Sequence, residues 1–366
     1  MTRASNLAKT GEVTDTGGYS FRNRIINGNM VIDQRNAGAA FGTSISDYTI
    51  DRWQVIQSTS GKVNVQRNAG SVTLPTGFTN YLGITSQSAY TVAASDYYMI
   101  QHKIEGYNAA DLNWGTSTAK TVTLSFWVYS SLTGTFGGTL VSLNAANVAF
   151  ISYPFTYTIT SANTWTYITI TVAGPTTPPT GGVNTTNGEA IRVNFGLGVG
   201  STYSGAAGSW SSNNYITAAG AVSIVGTSGA AFYITGVQLE AGSIATAFER
   251  RSYGLELSLC QRYFQKTLSQ SSAVGAAIAG VVDVYYPAGV AQLRWYVTIP
   301  TMRTTPTVTF YDNAGASGKI SYYNVGWQNG LTPSVGGASS DCAIYVAHYS
   351  SSSMEYQFNY TASAEL

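Results

Sequence analysis

Charged residues are scarce in this chain: Asp, Glu, Lys and Arg together make up 10% of its 366 residues, against roughly 25% in an average globular protein. Basic and acidic residues nearly cancel, 18 against 17, so no long-range field directs the protein to nucleic acid or to an anionic membrane surface. The polar surface must therefore consist largely of Thr, Ser, Asn and Gly. Such a surface is common in β-rich extracellular and virion proteins, because these residues suit extended strands and tight turns.

Cysteines and long apolar runs are also lacking. The two cysteines, Cys260 and Cys342, lie far apart without metal-ligand spacing, which favours two free thiols over a disulfide. No apolar run approaches the ~20 residues of a membrane helix, so we expect no membrane insertion. Residues 1–20 lack the apolar core of a signal peptide. We therefore expect a protein that is made in a cytoplasm and released by lysis.

Few groups are available for catalysis. The chain has two histidines, His102 and His348, and no Gly-x-Ser-x-Gly elbow, phosphate loop or His-Glu-x-x-His motif. Glycoside hydrolysis needs two carboxylates, which 17 acidic residues leave arithmetically possible. However, no internal repeat of the parallel β-helix kind is present. We expect a non-enzymatic protein with no catalytic residue and no cofactor.

Alternating hydrophobic residues predict an all-β fold. Val122, Leu124, Phe126 and Val128 alternate with Thr121, Thr123, Ser125 and Trp127, and residues 168–172 and 191–199 repeat the pattern. A period of two places one set of side chains on one face of a sheet. Segments rich in Gly, Pro, Asn and Ser separate these runs, as at 174–188 and 200–214. The pattern predicts an antiparallel β-sandwich over residues 24–248.

A short connecting helix is predicted over residues 249–266. One apolar stripe consists of Tyr253, Leu257, Cys260 and Phe264. Its residues follow one another at intervals of four, three and four, as on one face of a helix. Leu255 and Leu259 add a second stripe. Core packing is one explanation for these stripes, and packing of three copies about an axis is the other. On the second explanation, the four residues of the first stripe are oligomerisation residues.

Two further segments flank these domains. Residues 1–23 are polar and contain several glycines, which indicates an N-terminal leader. Residues 267–366 return to strand patterns and are rich in Tyr, Trp, Gly and Ser, which predicts a C-terminal β-sandwich knob. Within it, residues 281–285 and 293–299 are predicted to pair as a hairpin that turns near Pro287.

Three groups of segments carry a family resemblance. They are IINGNMVIDQRNAG (25–38) with YTIDRWQV (48–55); FYITGVQLEAGSIATAFERRSYGLELSLCQRYFQ (232–265); and MRTTPTV (302–308) with YTASAEL (360–366). Together they resemble tail-fibre and other virion structural proteins of tailed bacteriophages. The first β domain also resembles jelly-roll carbohydrate-binding modules.

The resemblance implies a homotrimeric fibre that is made in the host cytoplasm and sits in the virion, in its tail rather than its head. The leader would bind other virion proteins, and the C-terminal domain would attach to host-surface polysaccharide as a receptor-binding tip. Two alternatives stay open. One is a capsid fibre or baseplate decoration protein without a ligand, and the other is a polysaccharide depolymerase.

Two sets of side chains are candidates for binding sites. The glycan-binding candidates are Tyr322, Tyr323, Trp327, Tyr345 and Tyr349, since aromatic rings stack on the flat C–H faces of sugars. Core packing or trimer contacts are the alternative roles of these rings. The resembling sugar-binding sandwiches often hold a structural calcium ion, and oxygen ligands for one would come from Asn29, Asp33 or Glu240. Ordinary turn and edge hydrogen bonding is the alternative for these three residues.

Overall fold

The computed structural model describes residues 21–42, 44–287, 294–323, 325–346 and 353–366. It divides the chain into two compact units. Unit 1 comprises the described residues up to Val31 together with Ala40–Ser252, and unit 2 comprises Ile32–Ala39 and Tyr253–Leu366. The predicted domains differ from this division, because residues 32–39 and the connecting helix belong to unit 2. The predicted leader falls almost entirely on residues 1–20, outside the described residues.

The described part of unit 1 is built from strands and four short 3-10 helices, at Ala69–Ser71, Gly106–Asn108, Ala110–Leu112 and Ser201–Tyr203. Its strands are β1 (Phe41–Gly42), β2 (Ser46–Ile50), β3 (Trp53–Gln57), β4 (Val63–Arg67), β5 (Leu82–Ser86), β6 (Tyr97–Glu105), β7 (Val122–Ser130), β8 (Gly134–Leu143), β9 (Phe150–Ile159), β10 (Thr166–Val172), β11 (Glu189–Val199), β12 (Ser204–Gly205), β13 (Thr217–Ala218) and β14 (Ala231–Ala241). Two six-stranded sheets have the orders β1-β4-β5-β14-β7-β10 and β2-β3-β6-β11-β8-β9. Their strand pairs are antiparallel, and the separate pair β12–β13 is parallel.

The core of unit 1 lies between the inner faces of these two sheets. Val122, Leu124 and Phe126 on β7 are fully buried, and Val193 and Phe195 on β11 are buried on the other side of the same cluster. Burial of such a side chain stabilises the fold by roughly 1.5–3 kcal/mol, so the alternating pattern is what holds the two sheets together. The predicted all-β, antiparallel jelly-roll sandwich is confirmed.

The two segments of the first resembling group, 25–38 and 48–55, are joined by hydrogen bonds inside unit 1. The indole Nε1 of Trp53 donates to the carbonyl of Asn27 at 3.0 Å, and Asn27 Nδ2 donates to the carbonyl of Asp51 at 2.9 Å. His102 Nε2 lies 3.0 Å from the carbonyl of Ile26. Trp53 and His102 are completely buried, so these bonds fasten the N-terminal segment to strands β3 and β6.

Unit 2 has one α-helix in its described part, α1 (Tyr253–Gln261), and nine strands there. The strands are β15 (Phe264–Lys266), β16 (Val282–Tyr286), β17 (Arg294–Thr298), β18 (Thr307–Tyr311), β19 (Ile320–Tyr323), β20 (Trp327–Leu331), β21 (Ser334–Ala338), β22 (Cys342–Val346) and β23 (Met354–Ser363). The long strand β23 organises the larger sheet, since β15, β16, β18 and β19 all pair with it, and β20 pairs with β19. The smaller sheet has the order β17-β22-β21.

Side chains from all three groups of resembling segments stabilise unit 2. Gln34 Nε2 donates to the carbonyl of Phe264 at 2.9 Å, and the guanidinium of Arg35 lies 3.8 Å from the centre of the Phe264 ring and 2.7 Å from Glu365 Oε1. Arg303 donates to the carbonyls of Ala364 and Glu365, each at 2.9 Å. These contacts explain why residues 32–39 belong to unit 2 although they precede most of unit 1 in the sequence.

Two local predictions for unit 2 are wrong. Helix α1 ends at Gln261 rather than near residue 266, because Phe264–Lys266 pairs instead with Thr361–Ser363 of β23. The predicted hairpin does not form either, because β16 pairs with β23 and β17 pairs with β22. Among the described helices, none combines the length and apolar character that crossing a membrane requires.

Candidate functional site

An exposed aromatic pair lies at the end of the β19–β20 hairpin. Tyr323 and Trp327 are directly opposite each other in the register of the two strands. Their ring centres are 5.6 Å apart with the planes inclined at 71°, and the two side chains are 45% and 38% exposed. The neighbouring Gln328 is exposed as well. The hairpin thus presents two large rings and an amide to solvent, although such rings usually find apolar neighbours.

Buried polar groups hold this hairpin in place. The carboxylate of Asp312, which is 1% exposed, accepts hydrogen bonds from the backbone N–H groups of Ala314, Ala316 and Gly330 at 2.9–3.0 Å. Ser321 Oγ donates to Asn329 Oδ1 at 2.6 Å. Because Gly330 and Asn329 belong to β20, these bonds fix the strand that carries Trp327.

The other predicted glycan-binding residues lie elsewhere. Tyr322 is half-buried and packs against the core of unit 2, as expected for a side chain on the face opposite Tyr323. Tyr345 belongs to β22 in the smaller sheet, where its backbone is opposite Trp295 and Val335. Tyr349 lies outside the described residues. Of the five predicted rings, the structure brings Tyr323 and Trp327 together.

The carboxylates proposed as calcium ligands are occupied by protein donors. Glu240 accepts from Thr246 N, Thr246 Oγ1 and Gln238 Nε2 at 2.6–2.9 Å, and Arg22 Nε lies 3.5 Å away. Asp33 accepts from the backbone N–H groups of Asn36 and Gly38 at 2.9 and 2.6 Å. Ordinary turn and edge hydrogen bonding therefore accounts for both carboxylates.

The remaining calcium candidate, Asn29, has a buried Oδ1 without a hydrogen-bond partner among the described residues. It lies in unit 1 with Glu240, whereas Asp33 belongs to unit 2. Across the described part of the chain, no group of three or more His, Cys, Asp or Glu side chains is arranged to hold a metal ion.

The predicted oligomerisation stripe is divided between solvent and core. Cys260 is completely buried and Phe264 is 5% exposed, and Phe264 lies in β15 rather than in the helix. These two residues pack inside unit 2, which follows the core-packing explanation and corrects their assignment to an interface between copies. Tyr253 is 50% exposed, Leu257 is half-buried, and Leu255 of the second stripe is 52% exposed.

A pair of carboxylates lies on the surface of unit 2 where β16 meets β23. Asp283 and Glu355 share a hydrogen bond, and that bond, followed by burial and by repulsion from Asp283, raises the pKa of Glu355. Glycoside hydrolysis needs two carboxyl groups roughly 5–9 Å apart, with room for a sugar between them. Two carboxylates in hydrogen-bond contact do not provide that separation.

A cleft beside Trp210 is not predicted by any sequence motif. It is a pocket of about 350 Å³ in unit 1, and its lining includes Trp210, Pro175, Thr176, Thr177 and Ser211. The indole of Trp210 packs against Trp114 and Tyr153, in each case with ring centres 5.4 Å apart. Its Nε1 donates to the carbonyl of Ala173 at 2.8 Å. The sequence shows only a lone Trp in a Gly- and Ser-rich segment, a pattern that predicts a loop.

No family model matches the chain, and no curated protein matches it. Solved structures with similar folds include the enzymatically active domain of tailspike protein 4 of bacteriophage CBA120, at 13% identity and a TM-score of 0.35 over 62% of this chain and 22% of that one. The family 11 carbohydrate-binding module of a Clostridium thermocellum cellulase matches at 10% identity and a TM-score of 0.28, over 57% of this chain and 99% of the module.

A third similar structure is the module TmCBM61 in complex with β-1,4-galactotriose. It matches at 13% identity and a TM-score of 0.31, over 60% of this chain and 99% of the module. At such low identities and TM-scores, function has to be argued from the residues of this chain.

Proposed function

We propose that this protein is a structural fibre component of a tailed-bacteriophage virion and that it attaches the particle to polysaccharide on the host surface. The observation that carries the binding role is the exposed Tyr323–Trp327 pair on a hairpin held by buried polar bonds. The virion role is supported by the resemblance of the three groups of sequence segments to phage fibre proteins. The low content of charge supports attachment to uncharged sugar rather than to nucleic acid.

The two rings would stack on the C–H faces of a sugar, and Gln328 would bond its hydroxyl groups. An open hairpin buries little ligand area, so each site binds weakly. A homotrimer presents three such hairpins, and several fibres on one particle would convert weak contacts into firm adsorption through effective concentration. The N-terminal leader would anchor the fibre to other virion proteins.

In this proposal the protein is not an enzyme, and it lies in the tail of the virion. Two measurements separate it from the alternatives. Antibody labelling or density at the tail supports the proposal, whereas labelling at head vertices indicates a capsid decoration. New reducing ends after incubation with host polysaccharide would identify a depolymerase.

The decisive experiment removes the two rings and keeps the hairpin. Replacing the whole segment 320–333 with a flexible loop would disturb the fold as well as the site, because Ile320 is in the core of unit 2 and β19 pairs with β23. The double variant Tyr323→Ser/Trp327→Ser changes two exposed side chains instead. Aromatic stacking contributes roughly 0.5–1.5 kcal/mol per ring, so affinity per site should fall about tenfold and adsorption to host cells should be lost.

The matched control is Tyr107→Ser/Ile244→Ser, which removes two exposed apolar side chains from unit 1. Circular dichroism and light scattering should show that both variants are folded and contain three copies. A folded trimeric hairpin variant that adsorbs as well as the control would overturn the assignment of the site.

A further inference from the structure

A second pocket lies on the outer face of the first sheet of unit 1. It has a volume of about 300 Å³, near the lower end of the range of ligand sites. Its walls combine side chains from the strands with side chains from the loops around residues 78 and 248. The main lining residues are Phe78, Trp127, Tyr167, Gly236, Phe248 and Arg250.

Two pairs of aromatic rings form the walls. Trp127 on β7 and Tyr167 on β10 are cross-strand neighbours with ring centres 5.2 Å apart. Phe78 and Phe248 pack edge to face with ring centres 5.3 Å apart. Tyr167 is 43% exposed and the other three rings are half-buried, so aromatic surface is open to the pocket.

The close approach of the two walls depends on Gly236. This glycine sits at the bulge of β14 with a φ of 62°. A Cβ atom at this position would lie 2.7 Å from Phe78 Cζ and 3.2 Å from Trp127 Cδ1. The absence of a side chain therefore lets the Phe78 and Trp127 rings pack directly against the backbone of Gly236, which lines the pocket.

A positive charge stands at the rim of this pocket. The guanidinium of Arg250 lies 4.7 Å from the centre of the Phe78 ring and 5.8 Å from that of Phe248. Among the described residues, the structure gives it no ion pair and no hydrogen bond. The adjacent Arg251 differs, because it donates to the carbonyls of Asn23 and Ile25 and lies 3.5 Å from Glu249. Arg251 thus serves the fold, whereas no described residue accepts a hydrogen bond from Arg250.

We infer that this pocket binds a carboxylate-bearing sugar, such as a uronic acid residue of an acidic polysaccharide. The guanidinium would hold the carboxylate by charge-assisted hydrogen bonds, and Trp127 and Tyr167 would stack on the sugar ring. The site lies in unit 1 and is separate from the hairpin of unit 2, so it stands whether or not the hairpin binds glycan.

The lining favours a sugar over an acidic peptide. The pocket holds one or two ring-sized groups and is walled by flat aromatic faces, whereas a peptide of several residues needs a longer groove with backbone partners. A neutral sugar would offer no carboxylate to pair with the guanidinium of Arg250.

The experiment measures calorimetric binding of the purified full chain to tetramers of galacturonic, glucuronic and mannuronic acid. The methyl esters of the same tetramers serve as neutral ligands. At least one acid should bind, and its ester should bind tenfold or more weakly, because a hydrogen bond to a charged group is worth about that factor. Binding should also weaken as salt is raised.

Two variants test the residues. Arg250→Gln and Tyr167→Ala should each weaken binding of the acid, the first by roughly tenfold or more. The control Lys62→Gln removes an equal charge that lies over another ring of unit 1, that of Tyr90 at 4.5 Å, and it should bind as the unchanged protein does. All three residues are at least partly exposed, and circular dichroism verifies folding.

Several outcomes would overturn the inference. These are binding of none of the three acids, equal binding of acid and ester, or unchanged binding by a folded Arg250→Gln variant. Equally tight binding of polyglutamate would identify the ligand as an acidic peptide instead. Arg250→Gln should leave adsorption through the hairpin intact, and this result separates failure of this site from failure of the proposed function.

Discussion

Acidification should destabilise unit 1 through one buried histidine. His102 is completely buried, with its ring centre 5.0 Å from that of Trp53. Nε2 lies against the carbonyl of Ile26, so this nitrogen carries the proton of the neutral ring, and Nδ1 has no hydrogen-bond partner among the described residues. Burial lowers the pKa of His102 well below 6.5, and the charges of Arg52 and Arg251 lower it further against the opposing effect of the Ile26 carbonyl.

The sign and size of the effect follow from linkage. The unfolded chain binds a proton at His102 as the pH falls through about 6.5, whereas the folded chain does not. Unfolding therefore takes up about one proton, and stability decreases as the pH falls below that value. The loss is about 1.4 kcal/mol for each pH unit until the lower pKa of the folded state is reached. Above pH 7 the contribution is fully present.

The assay is urea unfolding of the full chain between pH 5 and 7.5, followed by tryptophan fluorescence. Five of the seven tryptophans report on unit 1, namely Trp53, Trp114, Trp127, Trp165 and Trp210. With an m value of roughly 2 kcal/mol/M, the midpoint should fall by about 0.7 M for each pH unit below 6.5.

Two variants test whether His102 causes this dependence of the urea midpoint on pH. His102→Gln keeps an N–H donor for the Ile26 carbonyl but cannot be protonated, so its midpoint should be flat over this range. His348→Gln, which changes the other histidine of the chain, should keep the slope. A slope that persists in His102→Gln, or disappears in His348→Gln, would refute the reasoning.

Two further predictions concern close packing and buried hydrogen bonds. Gly28→Ala should cost about 1–3 kcal/mol of unfolding free energy in thermal or urea melts, because the new Cβ would overlap the carbonyl oxygen of Val237. Gly42→Ala, whose Cβ meets no atom of the described residues within 4 Å, should be near neutral, and equal effects of the two changes would contradict this prediction. Asp312→Ala should destabilise unit 2 by several kcal/mol, since about 1–3 kcal/mol is lost for each of three orphaned backbone N–H groups. Hydrogen exchange of the β19–β20 hairpin measures the effect. The control Asp341→Ala should change the exchange little, because that carboxylate accepts a hydrogen bond from an exposed serine. A similarly small change in Asp312→Ala would count against the role of Asp312 in supporting the hairpin.

The strands of unit 1 could be predicted because each has one face toward a large core. The alternation in β7, β10 and β11 is a local property of the chain, and burial acts on it directly. The inward side chains at residues 122, 124, 126 and 128 are indeed completely buried. Fold class therefore followed from the sequence.

Pairing partners could not be predicted in the same way. The strands β16 and β17 read as one hairpin because they are adjacent in the sequence, yet each pairs with a strand much farther along the chain. The helix was predicted too long for a related reason, since Phe264 fits an apolar helical stripe as well as it fits a strand edge. Which of the two forms depends on β23, about 100 residues downstream.

The two proposed ligand sites differ in how far the sequence indicates them. Tyr323 and Trp327 are four residues apart, so their proximity follows from a hairpin alone. The Arg250 pocket joins residues near 78, 127, 167, 236 and 250, and no local pattern predicts that combination. The adjacent arginines illustrate the difficulty, because Arg250 and Arg251 look equivalent in the sequence but face different surroundings.

On the proposed virion, the chemistry of the two proposed sites would also make them separable. An uncharged aromatic pair binds sugar through apolar contact and hydrogen bonds, so salt has little effect on it. A guanidinium that holds a carboxylate at a partly open rim is screened by salt. Adsorption that survives salt but not the Tyr323→Ser/Trp327→Ser change would be attributable to the hairpin. Adsorption that is lost both in salt and in Arg250→Gln would be attributable to unit 1, and the receptor would then be an acidic polysaccharide.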